Sequence, residues 1–190
     1  RLYDGEVALS KGTYELVYIT DGSHSPEDWN AKPPYDPYHY GLTVFAKNEA
    51  DKKAVAISEF VDDEKNVIVK LTKVRHKDFV SAGFTLKKDT KVRVYALGEI
   101  DSDGESADYG WIVNTKTHER VWRMDRLETV HAGGDQKNRM ADEIITLPQG
   151  SYMAYYQTDD SHAYHEWNSD APFDEEHWGL TVYGFGESFD

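Results

Sequence analysis

The strongest constraint on this chain is that it repeats itself. Residues 20–45 read TDGSHSPEDWNAKPPYDPYHYGLTVF, and residues 158–183 read TDDSHAYHEWNSDAPFDEEHWGLTVY. Thr158 follows Thr20 by 138 positions and Tyr183 follows Phe45 by the same 138, with no gap. The match extends back to Arg1 and Arg139, and roughly two positions in five are identical across residues 1–47. A repeat of this kind restricts the chain to folds in which one structural unit recurs. Residues 52–138 have no counterpart at that shift. The unit read from the sequence therefore has an N-terminal part, 52–138, and a C-terminal part, 139–188. Residues 1–50 then form the C-terminal half of another unit. Two organisations are open: a piece of a longer array, or one composite β domain in which two C-terminal parts flank the middle.

The local pattern is that of short strands. Tyr14–Ile19 and Ser151–Tyr156 follow glycine turns and are rich in aromatic and branched residues. Leu42–Phe45 and Leu180–Tyr183 read the same way. Val67–Leu71 and Lys91–Leu97 alternate apolar and polar residues, and Gly110–Val113 and Arg120–Met124 flank a hairpin turn at Asn114–Thr117. Helical periodicity is weak. Ser25 as N-cap and Pro26 as first helical residue predict at most one or two helical turns towards Trp29. The predicted class is all-β, an antiparallel sandwich or jelly roll with an internal repeat of residues 1–47 at 139–185.

Composition narrows the function classes. No run approaches the roughly 18 apolar residues of a membrane helix, so no membrane span is expected. A net charge of −14 disfavours nucleic-acid binding and favours divalent cations. The absence of cysteine excludes disulfides and thiol chemistry. Acidity, no cysteine, 13 Tyr and 5 Trp are compatible with a bacterial β-protein outside the cell or at its surface.

Four segments carry a family resemblance: Phe84–Leu86, Lys91–Glu99, Ala107–Trp111 and Leu147–Tyr152. Across residues 56–188 they are similar to the bacterial pre-peptidase C-terminal domains, with their strand, polar Asp-containing loop and Gly-x-Tyr strand. The resemblance implies an accessory jelly roll beside a secreted enzyme, some examples of which bind calcium or polymeric ligands. The TD-x-SH…WN…HWG signature is not part of that family's pattern.

The polar residues kept in both copies are Asp21, Ser23, His24, Asn30, Asp36 and His39, matched by Asp159, Ser161, His162, Asn168, Asp174 and His177. Nucleophilic catalysis fits poorly. Adjacent Ser23 and His24 point to opposite faces of an extended segment, and no Gly-x-Ser-x-Gly elbow is present. No catalytic residue is assigned. A metal is a second reading, with Asp21, His24, Asp36, His39, Asp159, His162, Asp174 and His177 as ligands for zinc or calcium. Scaffold is the third, and it accounts for most of the motif. Asp before Ser-His makes an Asx turn, Trp29 and Trp167 plug a loop into the core, and Gly41 and Gly179 open the next strand. Read as ligand contacts, Trp29, Tyr38, Tyr40, Trp167 and Trp178 suit a polysaccharide.

A second acidic site is Asp101, Asp103, Glu105 and Asp108, whose alternate carboxylates around Gly104 resemble half of a calcium loop. Asp62-Asp63-Glu64 reads as a turn. Lys70, Lys73, Arg75, His76 and Lys77 read as a solvated strand face or as the partner of an acidic face on a neighbouring copy. The function expected from these features is a non-catalytic structural or interaction module of a repeat-containing surface or filament protein. It would be stabilised by calcium and would associate with itself or with neighbouring units. The alternatives are a carbohydrate-binding module accessory to a secreted enzyme and a metal-dependent hydrolase.

Overall fold

The structure, a computed structural model, describes residues 2–12, 14, 16–18, 20, 23–26, 28–57 and 66–185. The turn expected at Asp62-Asp63-Glu64 and the metal ligand expected at Asp21 lie outside the described residues. The chain divides into two compact units, residues 1–62 and 63–190.

In the first unit the described ladder is a two-residue hairpin. Strand β1 (His24–Ser25) pairs antiparallel with β2 (Asp28–Trp29), His24 opposite Trp29. Pro26 sits in the turn between them, so the helical turns predicted there do not form. A 3-10 turn spans Pro37–His39. The unit also holds a short helix absent from the sequence reading, α1 (Glu49–Lys53). Asn48 caps it, its Oδ1 accepting the N–H groups of Ala50 and Asp51, each at 2.9 Å. The described residues of Tyr14–Ile19 and Leu42–Phe45 form no strand, contrary to the pattern reading. β-propensity describes residues that fit a sheet, and a strand forms only where a neighbour is there to pair with it.

In the second unit that neighbour is present. Nine strands form an antiparallel system: β3 (Val67–Thr72), β4 (Phe79–Leu86), β5 (Thr90–Ile100), β6 (Ser106–Asn114), β7 (Arg120–Arg123), β8 (Val130–His131), β9 (Asn138–Leu147), β10 (Gly150–Gln157) and β11 (Gly179–Gly184). One layer runs β8-β9-β5-β11-β3, and the other runs β7-β6-β10-β4. The end of β5 joins them, Glu99 pairing with Asp108 of β6 at an irregular register. The all-β antiparallel class read from the sequence is the observed one.

The alternation of strand residues fills the space between the layers. Val92, Val94, Ile112, Tyr152, Tyr156, Leu180 and Val182 are buried there, each stabilising the fold by about 1.5–3 kcal/mol. A smaller cluster of Leu97, Ala132, Tyr164 and Trp178 forms where residues 158–178 fold over the opposite side of β5. Gly179 opens β11 at φ +135°, and a Cβ there would stand 1.9 Å from the Leu71 carbonyl oxygen of β3. Only glycine fits that approach.

The segment between β10 and β11 is pinned to the β3–β4 connection. Lys77 N–H donates to Asp159 O at 2.7 Å and Tyr164 N–H to Val74 O at 3.1 Å. Lys73 pairs with Glu176 at 2.5 Å and Lys77 with Asp160 at 3.1 Å. His76 Nε2 lies 2.9 Å from Glu166 O. Much of the basic stretch thus meets the acidic loop of its own unit.

Candidate functional site

Residues 158–178 are built around a buried histidine. Asp159 Oδ1 accepts the Ser161 N–H at 2.8 Å, the Asx turn that the sequence suggests. This brings His162 to full burial. Its Nδ1 lies 2.8 Å from Asn168 Oδ1 and its Nε2 2.7 Å from Asn138 Oδ1. The Asn138 amide NH2 donates to Gly133 O and Asp170 O, which fixes its oxygen towards the ring. Lys137 Nζ donates to Asn168 Oδ1 at 2.7 Å and to Glu99 Oε1 at 2.9 Å. Two amide oxygens suit a doubly protonated ring, while burial and the Lys137 charge push the His162 pKa down. Trp167 meets the ring edge-on at 4.9 Å and Trp178 at 5.5 Å. Trp167 Nε1 donates to Glu175 Oε2 at 3.0 Å. A 3-10 turn, Glu175–His177, then sets His177 Nδ1 2.8 Å from Asp174 Oδ1, and the Tyr95 hydroxyl donates to the other Asp174 oxygen.

The first copy makes the same local contacts. His24 Nδ1 lies 2.8 Å from Asn30 Oδ1, and His39 Nδ1 lies 2.8 Å from Asp36 Oδ2. Trp29 meets His24 edge-on at 4.8 Å and Tyr40 at 4.9 Å, where the second copy has Trp167 against His162 and Trp178 at 4.9 Å each. Asp36 and His39 stay exposed.

These contacts place the expected ligands in pairs. Among the described residues, the one set of three His, Asp or Glu side chains with ligand atoms all within 4.8 Å of one another is Glu99, Asp108 and Asp159. His24, His39, Asp36, His162, Asp174 and His177 enter no such set. Asp101, Asp103 and Glu105 lie exposed in the β5–β6 turn, closed by Asp101 N–H to Glu105 O at 2.9 Å, while Asp108 turns into the interior. The half calcium loop is therefore a hairpin turn plus one buried carboxylate.

Asp108 is the most perturbed acid of the site. Burial raises its pKa to about 8 against the Asp159 N–H, which donates to its Oδ1 at 2.8 Å and favours the charged form. Burial also raises Glu99, and the Lys137 ammonium holds it back. Oδ2 of Asp108 and Oε2 of Glu99 are buried without a hydrogen-bond partner.

The aromatic residues read as ligand contacts divide by exposure. Tyr38 is open to solvent, Trp29, Tyr40 and Trp167 are half-buried, and Trp178 is wholly buried with no face left for a ligand. A different aromatic group lies on the outer face of the β6-β10-β4 layer. Trp111 and Tyr155 stack at 5.3 Å and 15°, flanked by Tyr109 at 5.3 Å and Phe79 at 5.7 Å.

Sequence reasoning missed Glu99 and Lys137. Glu99 has the same strand parity as Leu97, a face that only the folded-over 158–178 loop buries. Asp108 was legible, since it shares parity with Gly110 and Ile112 of the core. No protein-family model matches the chain, and no curated protein is significantly similar to it.

Proposed function

We propose that the chain is a non-catalytic structural and interaction module of a repeat-containing protein. In this reading residues 2–46 are one part of a β-sandwich. They complete it by pairing with a segment of the pattern of 67–131 supplied by another unit of the same kind. One observation carries the reading. Tyr14, Tyr18, Leu42 and Val44 are between 48% and 59% exposed, whereas their counterparts Tyr152, Tyr156, Leu180 and Val182 are at 1% or less. Burying such side chains stabilises by about 1.5–3 kcal/mol each, so a covering segment is strongly favoured. Gly41 supports it: it keeps φ +150°, yet nothing lies within 4 Å of a Cβ built there. Its counterpart Gly179 needs that conformation because β3 runs against it.

Exposed strand-forming residues waiting for a partner strand describe β-augmentation between units. The acidity and the repeat favour a place outside the cell or at its surface, and the similarity to pre-peptidase C-terminal domains points the same way. The test is a chain in which residues 66–138 are duplicated directly before residue 1. Calorimetry should show a second cooperative transition of similar enthalpy to the first. A single unchanged transition would refute the pairing.

The aromatic group Phe79, Tyr109, Trp111 and Tyr155 favours a second reading, a polysaccharide-binding face. Stacked rings beside the Gln157 amide and the Arg123 guanidinium, which lies 4.7 Å over Tyr109, suit sugar rings. Trp111→Ala should abolish retention on an insoluble polysaccharide, and absence of retention by the unaltered chain on a broad glycan panel would remove this reading.

A further inference from the structure

We propose that Glu99, Asp108 and Asp159 form a binding site for one hard divalent cation of the calcium class. One carboxylate oxygen from each residue lies within 4.8 Å of the other two. Two oxygens bound to the same calcium at about 2.3–2.6 Å are at most about 5 Å apart, so this spacing is compatible with one ion shared by all three. The geometry alone describes an acidic cluster. The burial makes it a site.

Asp108 is fully buried and Glu99 is 5% exposed, yet Asp108 Oδ2 and Glu99 Oε2 accept no hydrogen bond. The Trp178 indole N–H lies close to Asp108 and favours its charged form. Buried carboxylate oxygens without donors are costly, and a protein keeps them paired or bound to metal. Among the described residues, the cation in contact is Lys137, which reaches Glu99 Oε1. Burial penalises the charge on Asp108, and the nearby Asp159 and Glu99 charges act in the same direction. A divalent ion reverses that logic, because it repays the desolvation of all three carboxylates at once.

Exposed Asp159 provides the route from solvent. Its backbone N–H donates to Asp108 Oδ1, and Glu99 is the ladder partner of Asp108, so the three residues are placed together before an ion arrives. An all-oxygen donor set selects a hard ion. The neighbouring His162 does not compete as a ligand, since both its nitrogens face amide oxygens. The site also has a structural role. Asp159 belongs to the repeated part of the unit, and Glu99 and Asp108 belong to the middle part. An ion there fastens one to the other. The site lies wholly within residues 63–190 and stands whether or not residues 2–46 find a partner.

The test uses the full chain stripped with chelator and titrated with calcium ion alone by calorimetry. Terbium luminescence excited through Trp178 reports the same site directly. Saturable binding of one ion per site is expected, with a rise in melting temperature. Asp159→Asn, at an exposed position, should weaken binding at least tenfold, and Asp108→Asn should do the same. Asp103→Asn, in the exposed turn, should leave binding unchanged. No saturable binding by the unaltered chain overturns the proposal. So does binding that survives Asp159→Asn intact, or that is lost with Asp103→Asn.

Discussion

The two copies of the repeated loop share their His–Asn and Asp–His contacts and have opposite surroundings. His24 with Asn30 and His162 with Asn168 are both 2.8 Å apart, and the Asp–His pair that follows is 2.8 Å apart in each. Yet His162 is fully buried, and its second nitrogen is held by Asn138, which lies just outside the repeat. The strands that flank the second loop are paired, and the described residues flanking the first are not. The features that recur in both copies, the His–Asn and Asp–His pairs, a ring-edge contact and a one-turn 3-10 helix, are therefore encoded locally. Strand formation is encoded non-locally as well, by partners distant in sequence, as in β5 with β9, where Thr90 pairs with Leu147.

Substitutions at matched positions should separate these two kinds of information. The largest contrast is expected at the glycines. Gly179→Ala drives a Cβ into the Leu71 carbonyl and should cost about 3 kcal/mol or more. Gly41→Ala meets no atom, and the strain it carries at φ +150° falls in the first unit, so the main thermal transition of the second should not move. Next come the histidines. His162→Ala removes a buried ring and strands two amide oxygens, at a cost of about 3 kcal/mol. His24→Ala should change stability by less than about 0.5 kcal/mol. Equal effects at either pair would break the contrast.

A pH series in chelator sharpens it further. The unfolded chain releases the Asp108 proton near 3.8, while the folded unit holds it to about 8. Between those values the folded state carries the extra proton, so stability falls as pH rises. The slope reaches at most about 1.4 kcal/mol per pH unit. Asp108→Asn should flatten this part of the profile. The smallest effect is expected at the acid–histidine pairs. Asp174→Ala loses contacts to His177 and to the Tyr95 hydroxyl and should cost about 1 kcal/mol. Asp36→Ala removes an exposed pair and should cost close to nothing. Chemical denaturation of each variant measures both.

The residues explain how far the sequence could be read. The strands of the second unit were legible because alternation along Lys91–Leu97 and Ser151–Tyr156 reports a half-buried face, and that face exists. The same pattern at Tyr14–Ile19 reports fitness for a sheet whose other strands are not found among the described residues of that unit. Ser25-Pro26 has helix-start chemistry, but the contact of His24 with Trp29 closes a hairpin instead. The carboxylate cluster was half legible. Asp108 follows core parity and Asp159 belongs to the motif, whereas Glu99 becomes interior only when a loop more than fifty residues later covers it. The site's third member is thus a property of the tertiary fold.

The central claim is that residues 2–46 are strands lacking their partner. Hydrogen exchange on the chain with residues 66–138 duplicated ahead of residue 1, compared with the chain as it stands, tests it most directly. Amides of 12, 14, 16–18, 20 and 41–46 are expected to become protected to the level of 150–157 and 179–184 in the duplicated chain. Amides that exchange equally fast in both chains would contradict it.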